Sequence, residues 1–194
     1  TSSLLTNYAK VVWMLGEESR ADETFSATEQ GAVSNYLAAG GRLLVSGAEM
    51  AYDLGGPTAT TSDKAFLSQT LRVGYAADSG GTGNVTGTAG GFLNGVSLAF
   101  NHTNLVSDFY AANWPDVLSA GSGAVTAAVY GASAAGTSGA IIQCSNATYR
   151  AIVMGFPFET ITNETTRAAV MTKAMQYLGD AAAAVKRYMV GGGD

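Results

Sequence analysis

The chain has 194 residues, a net charge of −5 and a pI near 4.7, with 47% apolar and 13% charged residues. That length suits one α/β domain with a proper core, and the acidic balance lacks the basic footprint of a nucleic-acid binder. One cysteine, Cys144, excludes an internal disulfide and a cysteine-based zinc site, and no apolar run has the length of a transmembrane helix.

The sparse charge leaves the surface to Ser, Thr, Asn and Gly, which suits a secreted or cell-surface protein. The sequence starts at Thr1 with neither methionine nor signal peptide, as expected of a processed product or an excised piece. Val11-Val12-Trp13-Met14-Leu15 is a continuous apolar run closed by Gly16, the pattern of a strand buried on both faces. Glu17 and Glu18 follow directly. Ser26-Ala27-Thr28-Glu29 is a capping box opening a helix with Val33, Tyr36 and Leu37 on one side, and Gly40 stops it. The strand Leu43–Ser46 comes next, so two strands and a helix form a βαβ unit with an expected parallel pairing.

Gly47-Ala48-Glu49 then makes a sharp turn at the strand's carboxyl end, the layout of an elbow that presents a reactive side chain, here a carboxylate. Ser62 is the expected cap of a helix carrying Ala65, Phe66, Leu67 and Leu71. Residues 79–104 read as short strands and turns on one edge. From Ala124 onward three apolar segments, 124–130, 139–144 and 149–156, read as a meander. The last ends in Gly155-Phe156-Pro157-Phe158-Glu159, and Thr162 or Asn163 caps a helix from about Glu164 to Leu178, with Gly179 as its stop. Residues 1–179 form the expected domain, and 180–194 read as a helical extension fading into a linker.

Three inferred strands therefore deliver acids at their carboxyl ends: Glu17 with Glu18, then Glu49, then Glu159. In an open α/β sheet that is where ligands bind. Converging carboxylates need a cation, an arginine or raised pKa values to coexist, so the group suits calcium or magnesium or, as a Glu49/Glu159 pair, glycoside hydrolysis. Asp53 lies close enough to the elbow to join them. The bland alternative is that each acid accepts hydrogen bonds from backbone N–H groups at a helix start. His102 reads as a solvated loop residue, Cys144 and Trp13 as core, and Trp114 as a residue able to stack on a sugar.

Taken in order, Gly16-Glu17-Glu18-Ser19, Gly47-Ala48-Glu49-Met50-Ala51 and Phe156-Pro157-Phe158-Glu159 resemble the oxyanion loop, the nucleophile elbow and the final motif of the class I glutamine amidotransferase-like superfamily. The resemblance covers about residues 10–178 and implies an α/β, three-layer, mostly parallel flavodoxin-like (Rossmann-like) sheet, here followed by the antiparallel meander. Glu49 stands where the cysteine nucleophile belongs and Pro157 or Phe158 where the histidine base belongs; only Glu159 matches the triad. Amidotransferase chemistry is thereby not expected. The resemblance implies a pseudoenzyme: a non-catalytic accessory module of an exported bacterial protein, binding a glycan or a divalent cation at its acidic crevice, with a carbohydrate hydrolase using Glu49 and Glu159 as the rival. It also implies a central first strand that this chain lacks, to be supplied by an upstream segment of the parent protein, by another chain, or by residues 185–190 folding back.

Overall fold

A computed structural model describes residues 2–103, 109–132 and 137–179. A short helix α1 (Ser2–Leu5) leads into β1 (Val11–Met14), a 3-10 turn (Arg20–Asp22) and α2 (Ala27–Ala38). The capping box at Ser26 forms as expected: Glu29 N–H donates to the Ser26 hydroxyl at 3.4 Å, while Ser26 N–H and hydroxyl donate to the Glu29 carboxylate at 2.8 Å. A cap of this kind contributes about 1 kcal/mol. Gly40 ends the helix at φ +96°, where a side chain would be strained. Its neighbour Gly41 is needed for space instead, since a Cβ there would lie 2.5 Å from the Tyr36 ring. The Tyr36 hydroxyl donates to Arg42 O and accepts from Arg42 N–H, both at 3.0 Å, clamping the helix to β2 (Arg42–Ser46).

After β2 come α3 (Met50–Gly55) and α4 (Thr61–Ala65), the latter running into one turn of π-helix (Phe66–Thr70). The cap of α4 is Thr60, not the expected Ser62: Thr60 forms the reciprocal box with Asp63, and Ser62 only bonds the Thr60 hydroxyl. Strands β3 (Val73–Ala77), β4 (Asn84–Gly87), β5 (Ser97–Ala99), β6 (Val117–Ala120), β7 (Ala124–Tyr130), β8 (Gly139–Ser145) and β9 (Arg150–Met154) follow, then a 3-10 turn (Phe158–Thr160) and α5 (Glu164–Leu178). Asn163 is the α5 cap, accepting from Thr166 N–H at 2.8 Å. The extension expected over 180–194 lies outside the described residues.

The strands form one sheet in the order β1-β2-β9-β8-β7-β4-β5, with β6 joining at β8 and β3 on β6. Among the described residues only β1–β2 and β2–β9 are parallel; the other six pairings are antiparallel. The mostly parallel, three-layer flavodoxin-like sheet is therefore wrong: the sheet is mixed and curled. A parallel pairing needs a crossover, and among the described residues α2 supplies the crossover between β1 and β2. Beyond it, hairpin connections impose antiparallel neighbours, and register shifts in β7 at Thr126/Ala128 and Ala128/Val129 bend the strand. The central vacancy is also absent. β2 pairs with β1 from Val11↔Leu43 to Met14↔Ser46 and with β9 from Arg42↔Arg150 to Ser46↔Met154, so the block needs no strand between them, and among the described residues β1 is its edge.

Side chains alternate across this sheet into two cores. Leu43 and Val45 pack with Val33, Tyr36 and Leu37 of α2, Met50 and Leu54 of α3, and Phe66 and Leu67. Leu44, Ile152 and Met154 pack on the opposite face with Val170, Ala174 and Leu178 of α5 and with the stacked rings of Phe100 and Phe156, 4.4 Å apart. Cys144 is buried as expected, and Trp13 is half-buried against Phe25, 5.1 Å between centroids.

Candidate functional site

The carboxyl ends of the neighbouring strands β1, β2 and β9 meet at one end of the sheet. Gly16, Glu17, Glu18, Ser19, Ala48, Glu49 and Pro157 line one shallow cleft of about 150 Å³, whose far wall is Tyr110 to Trp114. Glu17 and Glu18 stand exposed on its rim, and Glu49 is half-buried at the turn. Partial desolvation, then repulsion from Glu29 and Asp22, raises the Glu18 carboxyl above its ordinary value.

Glu49, Asp53 and Glu159 each have a structural occupation. Glu49 Oε2 accepts the Arg20 N–H at 3.4 Å, at the start of the 3-10 turn that follows β1. Asp53 is drawn away from the cleft: its Oδ2 accepts both the N–H and the hydroxyl of Thr24, at 3.0 and 2.8 Å, and so ties that loop to α3. Glu159 sits behind the wall, its Oε1 accepting the Tyr110 hydroxyl at 2.5 Å, and its Oε2 is buried and unpartnered. Burial first, then the Glu159 bond and the charges of Glu159 and Glu17, push the Tyr110 phenol far above its usual range. Among the described residues no group of three His, Cys, Asp or Glu is disposed to hold a metal ion.

The elbow itself is organised by a residue that sequence reasoning passed over. Glu49 occupies the N-cap position of α3 but makes no capping bond. Asp116, fully buried, supplies the cap from 65 residues away: its Oδ2 accepts Ala51 N–H at 2.6 Å and Tyr52 N–H at 3.2 Å. Its own N–H donates to Ala48 O at 3.0 Å, and its carbonyl accepts the Tyr130 hydroxyl at 3.0 Å. Burial drives the Asp116 carboxyl well above the ordinary range; the Tyr52 and Ala51 N–H groups pull it down, and Asp78 and Glu49 push it further up. The one sequence signal was an acid at the mouth of an apolar strand, in Trp114-Pro115-Asp116-Val117-Leu118.

The wall is held from below by Asn101, also fully buried, whose side-chain amide donates to Phe109 O at 2.8 Å and Tyr110 O at 3.1 Å. His102 is part of the same staple, its Nδ1 lying 3.0 Å from Ala112 O, rather than a solvated loop residue. Trp114 is 54% exposed beside the cleft.

No family model matches the chain, and no curated protein matches its sequence. Among solved structures, the fold is similar to the mmIFT52 N-terminal domain, with a TM-score of 0.57 and 15% identity over 95% of this chain and 83% of that one. It is also similar to part of a β-galactosidase from Rahnella sp. R3, with a TM-score of 0.54 and 14% identity over 89% of this chain and 23% of the enzyme chain. At such identities the likeness describes the fold alone.

Proposed function

We propose that the chain is a non-catalytic interaction module, an accessory domain of an exported protein, that works through its cleft rim and its open β1 edge. The observation that carries this reading is that Glu49 and Glu159, the pair a hydrolase would use, are both spent on structure, as are the neighbouring Asp53 and Asp116. Glu49 and Asp53 accept bonds from neighbouring loops, Glu159 is sealed behind Tyr110, and Asp116 caps α3. A glycosidase needs one carboxyl as acid and another as base or nucleophile, both facing a substrate. The cleft's volume is also below the several hundred Å³ usual for a small-molecule pocket.

Three further observations support the reading. Residues Gly16 to Ser19, Ala48 with Glu49, and Pro157 line one cleft, so the rim offers polar groups from three strand ends. A similar fold also occurs as roughly a quarter of a much longer β-galactosidase chain, the way an accessory domain is carried. The sparse charge, 13% of residues, suits an exported setting. A small polar group of a glycan fits the rim, where Trp114 offers a stacking face beside Glu17 and Glu18.

Turnover on a glycan panel tests the proposal. The module predicts none from the wild type and no change in Glu49→Gln or Glu159→Gln. Hydrolysis by the wild type that either substitution abolishes would overturn it.

A further inference from the structure

The edges of the sheet are treated unequally. At β5 the outer edge is covered by the segment after the 3-10 turn: Thr162 N–H donates to Ala99 O at 3.0 Å, and Phe100 bridges Ile161. β3 carries a register irregularity between Tyr75 and Ala77 that interrupts its edge. Among the described residues β1 has neither device. Its four residues are Val, Val, Trp and Met, without a charge, proline or bulge, and Met14 is 39% exposed. Bare apolar edges of this kind are templates for a further strand.

The backbone geometry says which groups are free. Leu15 N–H donates to Ser46 O across the β1–β2 pair at 2.9 Å. In a parallel ladder, alternate residues address alternate neighbours, so Val11, Trp13 and Leu15 face β2, while the N–H and C=O groups of Val12 and Met14 point outward. Side chains alternate to match: Val11 and Trp13 join one core and Val12 the other.

We infer that this edge pairs with the β1 edge of a second copy of the chain, antiparallel about a two-fold axis at Trp13. The inference rests on the module reading and names its partner. With Trp13 opposite Trp13, Val12 faces Met14 of the second copy and Met14 faces its Val12, so every outward donor of one strand meets an outward acceptor of the other. Directly opposed residues then lie on the same face of the joined sheet, as antiparallel pairing requires. Charge selects the same register. Lys10, whose Nζ donates to Met175 O at 3.1 Å, precedes β1, and Glu17 with Glu18 follow it, so antiparallel pairing brings the positive end of each strand to the Gly16-Glu17-Glu18 turn of the other. A parallel partner would place like charges together. Two sheets joined through four-residue strands make a small interface, which belongs to the weak, concentration-dependent class.

Light scattering coupled to size exclusion, over a concentration series from micromolar to near millimolar, tests this. The wild type should move from 19.7 kDa toward twice that mass, and the shift should shrink in high salt. Val12→Pro removes one outward N–H while sparing every bond to β2, and edge strands tolerate proline with its nitrogen outward. It should stay monomeric at every concentration and still unfold cooperatively in urea, at a midpoint lowered by the loss of Val12 packing on the second core. Should Val12→Pro fail to fold, Met14→Lys, at an exposed position, must also be monomeric. A wild type that is monomeric throughout overturns self-pairing, even if it captures a foreign strand, and leaves the non-catalytic reading to its turnover assay. A dimer that survives both substitutions overturns it as well.

Discussion

Replacing Asp116 separates two effects that its burial sets against each other. In Asp116→Ala the N–H groups of Ala51 and Tyr52 lose their acceptor at 2.6 and 3.2 Å, inside the protein. A buried donor left unsatisfied costs about 1–3 kcal/mol, and relief of the carboxylate's own desolvation offsets part of that, for a net loss of roughly 2–4 kcal/mol. For a chain of this length each kcal/mol lowers Tm by about 2–4 °C, so a drop of roughly 5–15 °C is expected. Asp116→Asn keeps an acceptor at the Oδ2 position and should cost less than about 1 kcal/mol near neutral pH. The pH dependence carries the sign. The folded carboxyl titrates above its unfolded value of about 3.9. Wild-type stability from this group is thus complete below that value and is lost as pH rises toward the folded pKa. Across that window Asp116→Asn should gain on the wild type by up to about 1.4 kcal/mol per pH unit. Urea unfolding followed by the fluorescence of Trp13 reads both. An Asp116→Ala variant within about 0.5 kcal/mol of wild type, or an Asn variant as costly as the Ala one, would refute the capping role.

Tyr110→Phe strips Glu159 of its only hydrogen-bond donor among the described residues and should destabilise by about 1–3 kcal/mol; combined with Glu159→Leu, a double-mutant cycle should return a coupling of about 1 kcal/mol or more, and additivity would contradict the contact. Gly155→Ala places a Cβ 2.2 Å from Asp116 O, a backbone atom that cannot swing away, so a loss of about 3 kcal/mol or complete misfolding is expected in equilibrium unfolding. The Cys144 thiol, its pKa raised by burial, should react with a disulfide reagent only at the rate of unfolding, and rapid labelling of the native protein would show that the sheet opens at β8.

The parts of the fold that the sequence reveals are those with local causes. The box at Ser26 and Glu29, the Gly40-Gly41 stop and the apolar runs of β1 and β2 each act within a few residues, and each forms where it is expected. Sheet order is different in kind. Whether β2 neighbours a missing strand or β9 depends on pairings more than 100 residues apart, and five register pairs from Arg42↔Arg150 to Ser46↔Met154 decide it. The resemblance of three motifs carried a sheet topology with it that the intervening hairpins do not build. For the site, the strand-end acids were legible because glycine turns announce them, and Glu17, Glu18 and Glu49 do line one cleft. The partners that determine their roles were not. Tyr110 lies 49 residues from Glu159, and Asp116 lies 65 from Ala51. Thr60 displaces Ser62 as a cap for a subtler reason: both are plausible cap residues, but Thr60 alone has an acid three positions on.

Residue-resolved amide hydrogen exchange tests the central claim most directly, because it reads the elbow and the edge together. The account predicts slow exchange at Ala51 and Tyr52 that Asp116→Ala abolishes, and exchange at Val12 and Met14 that is fast in dilute protein and slows as concentration rises. Fast exchange at Ala51 and Tyr52 in the wild type, or protection of Val12 and Met14 that is the same at every dilution, would contradict it.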